Sequence, residues 1–187
     1  MLQEIKADLY RYQPRHYSLT TLLKGFRSQG FRYMFFKRLK DKYAKKSITG
    51  LVASLFIRRY MYKYGFQIGG NIGPGFYIGH FGTIVISTLT TIGDNCNVAQ
   101  GVTIGAARRG SKKGAPTIGN KVWIGANAVI VGNITIGNDV LIAPGAFINH
   151  DVPAHSIAIG NPAKIIAREH ATEDYINNIY DNARKDH

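Results

Sequence analysis

Between residues 66 and 148 an apolar side chain returns at every sixth position: Phe66, Ile72, Ile78 and Ile84, then after two extra residues Ile92, Val98 and Ile104, then after a longer excursion Ile118, Ile124, Ile130, Ile136, Ile142 and Ile148. The next residue is Gly or Ala at nine of these thirteen positions. Four places after the aliphatic stands a second modest side chain, as at Cys96, Val102, Val122, Ala128, Ile134, Val140, Ala146 and Val152. Neither the 3.6-residue period of a helix nor the alternation of a hairpin produces this spacing. A six-residue unit with two inward positions fits a short strand and a tight corner, so three units, about eighteen residues, close one triangular coil of a parallel β-helix. Ile124 is then expected to stack on Ile142 and Ile130 on Ile148, one strand spacing of about 4.8 Å away. Gly119-Asn120, Gly132-Asn133 and Gly137-Asn138 suit the corners. Cys96 falls in an inward column, which predicts packing rather than nucleophilic chemistry.

The flanks have other textures. The stretch "GFRYMFFKRLKDKYAKK" interleaves aromatic and basic residues in a pattern compatible with a helix. After the last coil, Thr172 followed by Glu173 and Asp174 predicts a capped helix start, with Ile176, Ile179 and Tyr180 on one apolar face. The predicted organisation is a basic, aromatic-rich, mainly helical segment over 1–65, a β-helix over 66–160 and a C-terminal extension with a helix over 161–187.

Charge divides the chain at the same boundary. Residues 1–65 hold fifteen Lys or Arg against three acids, while residues 66–187 hold nine against eight. Thirteen of the twenty Tyr and Phe side chains also lie before residue 66. Cations with aromatic anchors suit an anionic lipid surface. On that reading Lys37, Arg38, Lys40, Lys42, Lys45 and Lys46 supply attraction, and Phe31, Tyr33, Phe35 and Phe36 supply peripheral anchoring. The alternative is a packed helical subdomain whose lysines form a solvated face. No nucleic-acid-binding motif accompanies the charge, so nucleic acid is not expected as a partner.

The 187-residue chain, 45% hydrophobic and 19% charged, has the composition of a globular protein. One cysteine excludes an internal disulfide framework or a Cys-rich zinc site. Acids at Glu4 and Asp8 do not fit a signal peptide, and the apolar run from Ile48 to Ile57 falls well short of the roughly 20 residues needed to cross a bilayer. A cytoplasmic location is expected, with peripheral attachment at the inner membrane face as an extension of the lipid reading. Within "YIGHFGTIVIS", His80 occupies an outward position between Gly79 and Gly82. Such an imidazole is a candidate general base, with an ordinary surface histidine as the alternative.

The segments "IGPGFYIGHFGTIVI", "VAQGVTIG", "APTIGNKVWIGANAVIVGNITIGNDVLIAPGAFI" and "DVPAHSIAIGNPAKII" together resemble the hexapeptide-repeat acyltransferases. The resemblance is to the serine acetyltransferase-like branch, which includes sugar and capsular-polysaccharide O-acetyltransferases, and it spans about residues 66 to 166. It implies a left-handed parallel β-helix, a homotrimer with sites between adjacent subunits, acetyl-CoA as co-substrate without a metal, and His80 as catalytic base. It also implies coenzyme A contacts at Gly105, Ala106, Ala126, Pro144, His150 and Lys164, and acceptor contacts at Asn97 and Trp123, the latter as a wall of the neighbouring subunit's site. The excursion "GAARRGSKKGAPT" would lie over the site, offering Arg108, Arg109, Lys112 and Lys113 to coenzyme A phosphates.

Two positions depart from the serine acetyltransferase pattern: Gly65 stands where an acid partner of the base is usual, and Ala115 where a histidine is usual. The expected activity is therefore acetyl transfer to a sugar hydroxyl of a surface polysaccharide or its precursor. The alternatives are serine O-acetylation and a non-catalytic trimeric scaffold. A zinc-dependent carbonic anhydrase reading of His150 and His155 fails, because His80 is about three coils from His150, roughly 14 Å along the axis.

Overall fold

The computed structural model describes residues 2–43 and 47–181. The six-residue repeat closes into stacked coils, each contributing three short strands. The first coil carries β1 (Phe66–Ile68), β2 (Asn71–Ile72) and β3 (Tyr77–Ile78), and the second β4 (Ile84–Ile86), β5 (Thr91–Ile92) and β6 (Asn97–Val98). The third carries β7 (Thr103–Gly105), β8 (Thr117–Ile118) and β9 (Trp123–Ile124), and the fourth β10 (Val129–Val131), β11 (Thr135–Ile136) and β12 (Val140–Ile142). A last coil holds β13 (Phe147–Ile148) and β14 (Ser156–Ile159), against which β15 (Lys164–Ala167) turns back antiparallel.

The faces are three sheets in the orders β1-β4-β7-β10-β13, β2-β5-β8-β11 and β3-β6-β9-β12-β14-β15. Register matches the stacking read from the spacing: Ile124 pairs with Ile142 and Ile130 with Ile148. Every member of the sixth-residue ladder is buried, as is the second column from Cys96 to Val152. Cys96 donates to the Gly119 carbonyl at 3.2 Å, and burial pushes its thiol up to about 12.

Helices α1 (Leu2–Tyr12), α2 (Leu19–Gly25), α3 (Gln29–Lys42) and α4 (Ile48–Tyr64) precede the first coil. A β-helix leaves the backbone of its terminal coil without a neighbouring strand, and buried backbone groups need partners. The helices supply them from side chains. The Tyr33 hydroxyl accepts from the Ile68 N–H, Lys37 donates to the Gly70 carbonyl, and Arg38 donates to the carbonyls of Ile72 and Gly73. Asp8 accepts from the Phe76 N–H, Arg11 donates to the Gly75 carbonyl, and the Tyr12 hydroxyl serves both the N–H and C=O of Ile78. Beneath this polar layer Tyr33, Met34, Ile57, Tyr60 and Tyr64 join the β-helix core.

That arrangement corrects the expected lipid-facing surface. Phe31 and Tyr33 are 0% and 2% exposed, Phe35 and Phe36 are packed against core clusters, and Lys37 and Arg38 are buried in the cap. Composition counted these side chains as anchors, but the open end of the solenoid uses them. Lys40 and Lys42 remain at the surface, and Lys45 and Lys46 lie outside the described residues. Among the described residues no helix is long and apolar enough to cross a membrane.

The predicted C-terminal helix does not form. Residues 169–176 make successive turns, and His170, Asp174 and Asn178 have φ of 53°, 64° and 54°, left-handed geometry that interrupts a right-handed helix. Tertiary contacts hold the segment along the outside of the third sheet. Asp139 accepts from the Ala171 N–H at 3.1 Å, from the Thr172 N–H at 3.0 Å and from the Thr172 hydroxyl at 2.7 Å, and it contacts His155 Nδ1 at 2.9 Å. Farther along, Tyr175 meets Trp123 edge-on at 4.9 Å, and Asn95 makes two hydrogen bonds with the backbone of Tyr180.

Burial pushes the Asp139 carboxyl up, but the Thr172 and His155 hydrogen bonds outweigh it, so its pKa lies below the ordinary value. A depressed acid stabilises the fold above its unfolded pKa of about 3.9, and that contribution is lost as pH falls through the lower folded value. Trp123, the only tryptophan, should therefore report release of the segment in an acid titration, ahead of the loss of far-ultraviolet circular dichroism. Asp139→Asn should weaken the Trp123–Tyr175 contact at all pH and remove that step. A Trp123 signal that changes only with global unfolding would show that Asp139 is not the latch.

Candidate active site

The corner between the third and first sheets repeats in each coil, as Gly79-His80 after β3, Ala99-Gln100 after β6, Gly125-Ala126 after β9 and Ala143-Pro144 after β12. Backbone hydrogen bonds tie the levels together, from Gly101 N–H to Thr83 O, Asn127 N–H to Gln100 O and Gly145 N–H to Ala126 O. His80, Ala126 and Pro144 therefore share one edge of the β-helix, with Pro144 three strand spacings, about 14 Å, from His80. Gly82 needs its lack of a side chain, because at φ 137° an added Cβ would stand 3.2 Å from the Gln100 Cβ.

His80 is exposed and lines a cleft of about 390 Å³ together with Arg11, Tyr77, Asn97, Trp123 and Tyr175. Among the described residues its ring has no hydrogen-bond partner, so both nitrogens are open to a ligand. Gly65 explains the missing acid. It caps α4 in the left-handed conformation at φ 74°, and an added Cβ would press on the Thr83 backbone at 3.2 Å, so a carboxylate there would be strained.

The other expected contacts frame the first sheet. Gly105 ends β7 and Ala106 follows it, at the edge opposite His80, where the Gly105 carbonyl accepts from the Gly132 N–H at 3.2 Å. His150 follows β13 on that same edge, half-buried, 3.3 Å from the Asn149 side chain. Lys164 is exposed at the start of β15, level with the Pro144 edge, where Ala163 N–H reaches the Phe147 carbonyl. The excursion is a tight antiparallel loop closed by two hydrogen bonds between Ala107 and Gly114. Arg108, Arg109, Lys112 and Lys113 are exposed on it, and Lys112 lies 4.0 Å from Asp151.

Trp123 lines the cleft of its own chain and meets Tyr175 edge-on. Asn97 is buried and both ends of its amide are engaged: Oδ1 accepts from Arg11 at 2.6 Å and Nδ2 donates to the Tyr175 carbonyl at 3.2 Å. Asn97 therefore clamps α1 and the C-terminal segment to the cleft wall. Sequence reasoning missed Arg11 and Tyr175, which lie 86 and 78 residues from Asn97. Only folding brings them together, and no local signal marks either.

Residues 115–150 match the bacterial transferase hexapeptide family model of six repeats. The serine acetyltransferase of Helicobacter pylori strain 26695 is 40% identical over 101 residues, 54% of this chain and 59% of that protein. The chain is similar to the hexapeptide-repeat transferases, in their serine acetyltransferase-like branch, and its fold is the left-handed parallel β-helix expected from that resemblance. The crystal structure of Neisseria gonorrhoeae serine acetyltransferase superposes with a TM-score of 0.73 at 28% identity, covering 90% of this chain and 67% of that one. Brucella abortus serine acetyltransferase in complex with coenzyme A gives a TM-score of 0.73 at 26% identity, with coverage of 88% and 67%. The chain spans less than two thirds of the curated relatives it matches, 41% of the Synechococcus elongatus serine acetyltransferase among them.

These relatives overturn the expected sugar acceptor, since they are named serine acetyltransferases at about 40% identity.

Proposed function

We propose that the chain is an acyl-CoA-dependent O-acetyltransferase acting on the hydroxyl of serine, with acetyl-CoA as donor and His80 as general base. His80 takes the hydroxyl proton as the oxygen attacks the thioester carbonyl. The acyl C–O bond forms, the C–S bond breaks, and the proton passes from the imidazolium to the coenzyme A sulfur. The observation that carries this reading is the open imidazole on a cleft at the head of a column of small corner residues. Support for the acceptor comes from the relatives' names, and support for the donor from the coenzyme A held by the Brucella structure.

The donor would lie along the outer face of the first sheet, between Ala126 and Pro144 on one edge and Gly105 and Ala106 on the other, with His150 and Lys164 toward its nucleotide end. Small residues on those edges let a pantetheine arm approach the main chain. Ala126→Tyr should therefore raise the KM for acetyl-CoA at least tenfold and leave the KM for serine within about twofold. Equal effects on both substrates would count against this groove.

A homotrimer completes the proposal. The face of α4 away from the β-helix exposes Ile48, Leu51 and Leu55 at 53% to 82%, an apolar row suited to burial against a second copy. The decisive experiment is thiol release from acetyl-CoA by the full chain, with its mass measured by light scattering. Serine-dependent release by a particle of three chains is expected. A folded protein that releases no coenzyme A with serine would sink the reading.

A further inference from the structure

Arg11 is a buried cation whose three hydrogen-bond acceptors are all neutral. Nε donates to the Asn177 carbonyl at 3.1 Å, Nη1 to the Gly75 carbonyl at 2.7 Å and Nη2 to Asn97 Oδ1 at 2.6 Å. Arg38, the other buried arginine, is gripped instead by the Asp8 carboxylate. Asp8 lies on the same helix as Arg11, but its oxygens are engaged by Arg38 and the Phe76 N–H.

A guanidinium carries five N–H donors, so these bonds leave one on each Nη nitrogen. Free guanidinium N–H donors of this kind are suited to hold a carboxylate. A buried charge without a counter-charge is costly, and burial lowers the pKa of Arg11. The side chain nevertheless lines the His80 cleft. Its guanidinium is 5.7 Å from the ring of Tyr77, which lines the same cleft as His80.

We propose that Arg11 is the carboxylate anchor of the acceptor site, holding a small hydroxy-carboxylate so that its hydroxyl faces His80. This rests on the serine-acetylating reading and adds a residue and a selection rule to it. The acceptor must carry an anionic group next to its hydroxyl, and its uncharged analogues should be rejected. Asn97 and Asn177 act as positioning residues, since they fix the guanidinium from two sides.

The test compares L-serine with L-serinamide, which differs by loss of the carboxylate, in calorimetric titrations of the full chain. The wild-type protein should bind serinamide roughly 10- to 100-fold more weakly, the loss expected for hydrogen bonds to a charged partner. Arg11→Gln should reduce that ratio to within about twofold, and Arg11→Lys should restore part of it. The wild-type comparison needs no variant, so it holds even if Arg11→Gln fails to fold. Equal binding of the two ligands, no binding of serine, or a ratio unchanged in Arg11→Gln would overturn the assignment. Arg11-dependent binding without coenzyme A release would sink the acetyltransferase reading and leave the anchor standing. Release with serine and serinamide alike would do the reverse.

Discussion

His80→Ala should lower kcat for serine acetylation by roughly 10²- to 10⁴-fold, the range removed with a positioned general base. The side chain is exposed and unbonded, and its backbone is outside the left-handed region, so alanine fits there without strain. The coenzyme A contacts proposed at Ala126 and Pro144 lie two and three coils away, so the KM for acetyl-CoA should stay close to wild type. A parallel fall in kcat and kcat/KM is the pattern of an interaction made only in the transition state. Turnover within about fivefold of wild type, from a protein with unchanged mass, would remove His80 from the mechanism.

Asp8→Ala should be the most damaging single substitution for stability, at about 3–5 kcal/mol, because it strips the counter-charge from a buried guanidinium. The Arg38 Nε and Nη2 donors meet Asp8 at 2.9 and 3.1 Å, and the pair is 6% and 1% exposed. Burial alone would lower the Arg38 pKa, but Asp8 raises it past that, so the cation persists and would be left alone among carbonyls. The same change also orphans the Phe76 N–H at the foot of the first coil. In a chain of this size the loss corresponds to a fall in Tm of roughly 6–20 °C. Replacing both partners, as in Asp8→Leu with Arg38→Met, should cost less than Asp8→Ala, since no unpaired charge remains. A Tm shift under about 3 °C for Asp8→Ala would show that the pair does not hold the helices to the solenoid.

Both predictions depend on where the solenoid begins. Its open end needs donors and acceptors, and Asp8, Arg11, Tyr12, Tyr33, Lys37 and Arg38 provide them. This accounts for part of the concentration of cations and aromatics before residue 66 without invoking a lipid surface. The same helices bring Arg11 into the His80 cleft, so the cap and the cleft wall are one structure.

The sixth-residue ladder determined by itself that Ile124 stacks on Ile142 and Ile130 on Ile148, because a coil of three equal units converts sequence spacing directly into position. Cys96 could be placed in the core for the same reason. Where the periodicity stops, sequence loses that power. Thr172, Ile176 and Tyr180 carry the local marks of a helix, yet Asp139 captures Thr172, Trp123 meets Tyr175 edge-on and Asn95 binds Tyr180, contacts whose combined strength exceeds a weak local propensity. Lys37 and Arg38 counted as surface charge until the terminal coil supplied carbonyls for them. The cleft wall was the least legible part. Arg11, Asn97 and Tyr175 come from a helix, a coil and a C-terminal turn, and only the folded chain brings them within hydrogen-bonding distance.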